Sequence, residues 1–137
     1  MTKTLLAVED DGALRRLMVR TLTEHEPAGR AAVHQKPFYR VLEAADADSA
    51  LALLRAGPVD LVLLDLHLPP RADTPEEGLK LEGQIRELRK GILVVVVTAN
   101  ENAELGRELL GRGVRRILHK PLKAEELVEA VEEIFQE

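Results

Sequence analysis

The chain of 137 residues, 45% of them hydrophobic, is long enough for one domain over residues 1–137 with a sizeable core. It has no cysteine, which excludes disulfides and thiolate chemistry, and its net charge of −5 with few aromatic residues argues against a nucleic-acid partner. No apolar stretch is long enough for a signal peptide or a membrane helix, so we expect a cytoplasmic protein without membrane contact.

The first part of the chain predicts two strands, each followed by a helix. Thr4–Val8 is an apolar run typical of a strand, and the apolar residues between positions 14 and 22 are spaced for one face of a helix. Tyr39–Ala44 predicts the second strand. Asp46 or Asp48 is suited to cap the helix that follows, and an Ala-Gly-Pro sequence ends it.

The third strand is predicted at Asp60–Leu64, an aliphatic run short enough to be buried on both faces of a sheet. Thr74–Glu77 then has the form of a capping box, with Thr74 at the cap and Pro75 in the first helical turn. The helix that it begins is predicted to end at Gly91.

Two more pairs of strand and helix complete the pattern. Ile92–Thr98 is rich in β-branched residues and predicts the fourth strand, with a helix that runs to Gly113. Arg116–Leu118 predicts a short fifth strand before the last helix. Five such units indicate a parallel sheet with helices on both faces. With right-handed crossovers the common strand order is 2-1-3-4-5, a flavodoxin-like, doubly wound α/β fold.

In that order, polar residues at the carboxyl ends of the strands meet along one edge of the sheet, where such folds bind ligands. These residues are Glu9, Asp10 and Asp11 after the first strand, Asp65 after the third, Thr98 at the end of the fourth and Lys120 after the fifth. Carboxylates brought together repel one another unless a cation offsets them, and Mg²⁺ prefers such oxygen ligands. Asp65 is the central carboxylate and the best candidate for a nucleophile that forms an acyl phosphate.

Four motifs resemble the receiver domain of two-component response regulators. They are "VEDD" (Val8–Asp11), "LLDLHLP" (Leu63–Pro69), "VVTA" (Val96–Ala99) and "HKP" (His119–Pro121). Each motif alone is weak, but all four follow in the family's order over about residues 3–136. The resemblance implies a response regulator receiver domain, a phosphoprotein of signal transduction.

The resemblance also implies how the acidic residues act. Asp65 would accept a phosphoryl group from a histidine kinase or a phosphotransfer protein. Asp10 would bind Mg²⁺ directly and Glu9 directly or through water, with Asp65 and the backbone carbonyl of His67 as further ligands. Asp11 is interpreted instead as a first-turn acid of the first helix, where the helix dipole favours it.

Further roles follow from the same resemblance. Thr98 would contact the phosphoryl group, and Lys120 would pair with it, with a cis bond to Pro121. His67, two residues past the acceptor, is a candidate modulator of dephosphorylation, and Asn100 is a second candidate modulator. Such a protein is not an enzyme in the usual sense, although it can catalyse its own phosphotransfer and dephosphorylation.

The family usually passes the change to a downstream protein through the fourth helix, fifth strand and fifth helix. The exposed face of the last helix is also a candidate surface for a partner or a homodimer.

Three features depart from the family pattern. Ile117 occupies the position where receivers usually carry Tyr or Phe as the partner of the threonine switch. Residues 26–38 form a longer connection than usual, expected at the end of the sheet away from the acids. Residues 69–77 are also extended and border the site, with Arg71 interpreted as a solvated loop residue.

Other functions remain open at this point. Ile117 and the altered loops favour an interaction module that keeps the fold without a phosphate switch. A phosphatase with an aspartate nucleophile is a further alternative, although such enzymes usually carry a second aspartate where this chain has His67. A flavodoxin is disfavoured because three acids after the first strand would repel its phosphate.

Overall fold

The computed structural model describes residues 2–24 and 39–136, and the described residues form one sheet of five parallel strands. The strands are β1 (Lys3–Val8), β2 (Tyr39–Ala44), β3 (Leu61–Leu64), β4 (Leu93–Thr98) and β5 (Arg116–His119). Their order is β2-β1-β3-β4-β5, which confirms the predicted flavodoxin-like fold.

Five helices in the described part of the chain cover both faces of this sheet. They are α1 (Gly12–Glu24), α2 (Ala47–Ala56), α3 (Glu76–Leu88), α4 (Ala103–Gly111) and α5 (Ala124–Gln136). Apolar side chains of α2, α3 and α4 build the core on one face, and those of α1 and α5 build it on the other. Every residue of β3 is buried, because this central strand is covered from both sides.

The strand register brings the polar strand ends together. Val8 pairs with Leu64, and Leu64 pairs with Val96 on the next strand. Thr98 pairs with His119 at the end of β4 and β5. The residues that follow these strands therefore lie side by side along one edge of the sheet.

The predicted capping box at the start of α3 is wrong. The helix begins at Glu76, one residue later than the box requires, and Pro75 precedes it without a side-chain cap. The hydroxyl oxygen of Thr74 accepts a hydrogen bond from the Glu76 N–H (3.3 Å), while the Thr74 N–H donates to the carbonyl of Arg71 (3.2 Å). Glu77 pairs with Arg71 (3.4 Å), so the preceding loop uses both residues of the expected box.

Aspartates cap two other helices. Asp46 caps α2, with its carboxylate accepting from the Ser49 N–H at 2.8 Å, which decides between the two predicted caps. Asp11 precedes α1 and accepts from the N–H groups of Ala13 (3.0 Å) and Leu14 (3.2 Å). The interpretation of Asp11 as a first-turn acid is thus corrected by one position: it is the cap.

Two helices end earlier than predicted. The extended backbone of Arg89 ends α3 after Leu88, before Gly91. α4 ends at Gly111, and Gly113 follows with a left-handed backbone (φ 105°). The spacing of apolar residues does not define where a helix ends, because the end of its last turn depends on the local backbone conformation.

The expectation for residues 26–38 lies outside the described residues. Within those that are described, no helix combines the length and the apolar character needed to cross a membrane.

Candidate functional site

Three carboxylates meet at the carboxyl edge of the sheet. Ligand oxygens of Glu9, Asp10 and Asp65 all lie within 4.8 Å of one another. Glu9 is 1% exposed and Asp65 is 2% exposed, whereas Asp10 is exposed. The Glu9 N–H donates to the carbonyl of Ala44 and the Asp65 N–H to that of Val8, both at 3.0 Å. Each buried acid is therefore held by a bond that continues the ladder of the sheet one residue past its strand.

One ammonium group lies between the two buried carboxylates. Lys120 Nζ is 2.9 Å from Glu9 Oε1 and 3.2 Å from Asp65 Oδ2. The Lys120 N–H donates to the Thr98 carbonyl (2.9 Å), and the Lys120–Pro121 bond is cis, as predicted. β4 and the turn after β5 thus hold the ammonium over the acids.

The pKa values of this group show the cost of burying charge. Burial raises the pKa of Glu9 to about 7, and the negative charge of Asp65 acts in the same direction. The neighbouring Lys120 ammonium acts to lower this pKa but does not prevail. Burial acts to lower the pKa of Lys120, but its contacts with Glu9 and Asp65 prevail and raise it. The two buried acids therefore need more positive charge than one lysine supplies.

The set of donors suits a divalent cation. Three carboxylates against one ammonium leave an excess of two negative charges, and all the candidate donors are oxygens, which Mg²⁺ prefers. The His67 N–H donates to Asp65 Oδ1 (3.1 Å), which keeps the His67 backbone beside the acids. Asp11 is occupied in capping α1.

Thr98 ends β4 as a buried side chain beside this cluster. Its hydroxyl oxygen accepts from the Asn100 N–H (3.0 Å), and the Asn100 side-chain carbonyl accepts from the Asn102 N–H (2.9 Å). A hydroxyl that accepts through its oxygen can still donate its proton to another oxygen. Asn100 is thus placed to support the turn after Thr98.

The loop before α3 is held by side-chain contacts. His67 Nδ1 donates to the Ala72 carbonyl (3.0 Å), because a carbonyl oxygen can only accept. Arg71 is exposed, as predicted, and pairs with Glu76 (2.9 Å). A cis bond joins Pro69 and Pro70, which sequence reasoning did not anticipate.

Gly78 is a positioning residue that sequence reasoning missed. Its N–H donates to the Leu66 carbonyl (3.0 Å), and a Cβ at this position would overlap with the backbone of Leu66. The close approach locates α3 against the chain just after Asp65. Its sequence signal is a glycine in an otherwise regular helical pattern.

Ile117 is half-buried on β5 and faces α4. A Cβ on Gly106 would lie 3.5 Å from Ile117 Cδ1. A cavity of about 390 Å³ lies between β4, β5 and α4, and Leu66, Thr98 and Ile117 are among its lining residues. Ile117, where the chain departs from the family pattern, therefore borders a cavity that extends from Thr98 to α4.

Comparison with known proteins defines the class. Residues 5–132 match the family described as the response regulator receiver domain, so the chain belongs to this family. Receiver domains are in general phosphoacceptors that bind Mg²⁺ in an acidic pocket and interact with histidine kinases and phosphotransfer partners. This membership decides against a flavodoxin.

Two relatives show the same relationship in sequence. The sensor histidine kinase AruS of Pseudomonas aeruginosa is 36% identical over 104 residues, which cover 73% of this chain and 10% of AruS. The transcriptional regulatory protein GlrR of Escherichia coli is 26% identical over 133 residues, 97% of this chain and 26% of GlrR. The chain thus spans about a quarter or less of the length of these two relatives.

Solved structures share the fold over nearly the whole chain. A CheY-like receiver domain protein of Methanospirillum hungatei superposes with a TM-score of 0.81 at 26% identity, covering 99% of this chain and 95% of that one. A response regulator of Thermotoga maritima gives a TM-score of 0.79 at 25% identity, with full coverage of both chains.

Proposed function

We propose that this receiver domain accepts a phosphoryl group on Asp65 in a Mg²⁺-dependent reaction, and that the modification changes its binding to a downstream protein. The observation that carries the proposal is the shared position of Lys120 Nζ, 2.9 Å from Glu9 and 3.2 Å from Asp65. A site with two buried acids and one lysine is suited to gain a cation and a phosphoryl group together.

The transfer itself needs a nucleophile and a donor. A carboxylate oxygen of Asp65 attacks the phosphorus of a phosphohistidine, an O–P bond forms, and the P–N bond breaks with its electron pair left on the imidazole. Glu9, Asp10, Asp65 and the His67 carbonyl would hold Mg²⁺, which supplies positive charge to the phosphoryl oxygens. The proposed donor is a histidine kinase or a phosphotransfer protein, which assigns the reaction to the cytoplasm.

Lys120 and Thr98 have separate roles in this proposal. The Lys120 ammonium moves its pairing from the Asp65 carboxylate to a phosphoryl oxygen, which offsets the added charge. The Thr98 hydroxyl donates to another phosphoryl oxygen. His67 and Asn100, each beside one of these groups, tune how fast the acyl phosphate is hydrolysed.

The proposed output surface consists of α4, β5 and α5. Phosphorylation shifts the population of conformations in which a downstream protein binds this surface. The exposed side of α5 is a second proposed contact, for a partner or for another copy of the chain.

Phosphorylation is tested by intact-mass measurement after incubation with acetyl phosphate and Mg²⁺. One phosphoryl adduct is expected on the wild-type protein and none with Asp65→Asn or without metal. Asp73→Asn, an exposed aspartate in the nearby loop, is the matched control and should still be labelled. An adduct that persists in Asp65→Asn would show that another residue is the acceptor.

Ile117 supports a second candidate, an interaction module that binds its partner without phosphate. Its aliphatic side chain borders the cavity beneath α4, where the family usually has an aromatic switch. This module would be favoured over the phosphoacceptor if the intact-mass measurement finds no adduct and a titration with Mg²⁺ finds no binding.

A further inference from the structure

The peptide bond between Glu9 and Asp10 is held by a side chain that the proposed site does not include. Arg15 of α1 donates from Nη1 to the backbone carbonyl of Glu9 at 2.7 Å. Its Nε donates to Glu43 Oε1 at 3.1 Å, near the end of β2. A planar guanidinium holds two acceptors at once in a fixed geometry, so Arg15 links β2 to the carbonyl next to Asp10.

The end of β2 thereby holds both backbone groups of Glu9. The strand register pairs Val8, the last residue of β1, with Ala44 of β2. The Ala44 carbonyl accepts from the Glu9 N–H at 3.0 Å. Glu43, the preceding residue of β2, holds the Glu9 carbonyl through Arg15. The chain just before Asp10 therefore has little freedom to turn.

The Asp10 carboxylate has no such support of its own. Asp10 is exposed, and among the residues that the structure describes, none forms a hydrogen bond or an ion pair with its carboxylate. Lys120 pairs with the two buried acids instead. The Asp11 N–H donates to Glu9 Oε2 at 3.2 Å, which fixes the backbone after Asp10. The direction of the Asp10 carboxylate thus depends on the backbone on either side, and Arg15 holds the side before it.

The charge and the hydrogen bond of Arg15 predict opposite effects on a bound cation. The guanidinium is positive, so its removal should strengthen cation binding if charge alone mattered. Its contact with Glu43 offsets that charge, and the excess of negative charge at the three carboxylates remains. The hydrogen bond to the Glu9 carbonyl acts the other way, because a carboxylate that is poorly oriented binds a metal less tightly. The sign of the change therefore distinguishes the two effects.

We propose that Arg15 is a positioning residue for the metal site. By holding the peptide between Glu9 and Asp10, it keeps a carboxylate oxygen of Asp10 within 4.8 Å of those of Glu9 and Asp65. The effect on Mg²⁺ rests on the proposed function, whereas the hold on the peptide does not.

Calorimetric titration of the unphosphorylated protein with magnesium chloride tests this role. Arg15→Gln should raise the Kd for Mg²⁺ about tenfold, the effect of losing a group that orients a metal ligand. Arg15→Lys keeps the charge, but an ammonium lacks the planar fork that holds both acceptors, so the Kd should rise at least about threefold. Arg16→Gln is the matched control, because this exposed arginine of α1 undergoes the same change of charge, and its Kd should stay within about twofold of the wild type.

Three results of the titration would overturn the proposal. One is a Kd for Arg15→Lys equal to that of the wild type. Another is tighter binding by Arg15→Gln, which charge alone predicts. The third is an equal rise of the Kd in Arg16→Gln, which would make the effect a general one of α1. Should Arg15→Gln fail to fold, Arg15→Lys still decides, since it retains the charge and the length of the side chain.

Amide hydrogen exchange of the metal-free protein tests the hold on the peptide separately. Arg15→Lys should speed exchange at residues 9–11 about tenfold, the effect of losing a hydrogen bond to a charged group, and leave residues 93–98 of β4 unchanged. Unchanged exchange at residues 9–11 would overturn the positioning role, and so would an equal increase in β4, which would show a general loss of stability. If the wild type binds no Mg²⁺, the metal dependence of the proposed function fails, but the exchange still decides whether Arg15 holds the peptide.

Discussion

At the scale of single residues, the acidic site is governed by an imbalance of charge. Lys120 neutralises one of the two buried carboxylates, Glu9 and Asp65, and the exposed Asp10 adds a third negative charge. Burial makes the charged form of Glu9 costly, so its pKa rises to about 7. The same imbalance that destabilises the metal-free site favours the binding of a cation.

The raised pKa of Glu9 predicts a pH dependence of stability. Between the ordinary pKa of 4.5 and about 7, the folded protein binds a proton that the unfolded chain has released. The stabilising contribution of this group is therefore complete below 4.5 and is lost as the pH rises through about 7. In urea unfolding without metal, the wild type should lose stability relative to Glu9→Gln over this range.

Glu24→Gln, an exposed glutamate at the end of α1, is the control for this comparison and should follow the wild type at every pH. A constant difference between the wild type and Glu9→Gln across the range would contradict the raised pKa of Glu9.

At the scale of the elements, short backbone approaches decide how the helices lie against the site. Gly78 allows α3 to contact the backbone of Leu66, and its N–H donates to the Leu66 carbonyl. Asp46 and Asp11 cap α2 and α1 and so define where these helices begin beside the acidic edge. The loop contacts of Arg71 do the same for α3.

Gly78→Ala should destabilise the protein by about 2 kcal/mol or more, because the added methyl group would overlap with backbone that cannot turn aside. Gly83→Ala on the same helix is the matched control: its nearest neighbour would be the flexible end of Arg86 at 3.7 Å. This control should gain about 0.5–1 kcal/mol from helix propensity. Urea unfolding measures both, and equal effects would contradict the close approach.

At the scale of the whole molecule, the parallel sheet assembles a site from distant parts of the chain. Asp65 and Lys120 are 55 residues apart in sequence, yet their side chains are in hydrogen-bonding contact. The order β2-β1-β3-β4-β5 makes this possible, because it places β3, β4 and β5 in sequence along the sheet, with Asp65 following β3 and Lys120 following β5. A ligand held by residues from several strands therefore stabilises the fold as a unit.

Mg²⁺ should accordingly stabilise the whole protein. At a free concentration of one hundred times Kd, mass action adds about 2.7 kcal/mol to the free energy of unfolding. Asp10→Asn should lose most of this gain, whereas Asp48→Asn, an exposed aspartate of α2, should keep it. Urea unfolding with Mg²⁺ or with sodium chloride of equal ionic strength measures the effect. An equal gain in both variants would show that Asp10 does not bind the metal.

The sequence by itself determined the fold class and which polar residues lie at the acidic edge of the sheet. Apolar periodicity is a local property, so it located all five strands to within a residue or so. Once the strand order was inferred, the polar residue after each strand had only one edge on which to lie. Glu9, Asp65 and Lys120 were therefore found before any contact was known.

Only the tertiary structure decided features that depend on contacts between distant residues. The sequence around Thr74 matches a capping box, but the loop contacts of Arg71 place the helix start elsewhere. Glu82 looks like any other surface glutamate of a helix until α4 brings Arg112 to it. Charge and apolar pattern are visible along the chain, whereas burial and pairing depend on which elements the fold brings together.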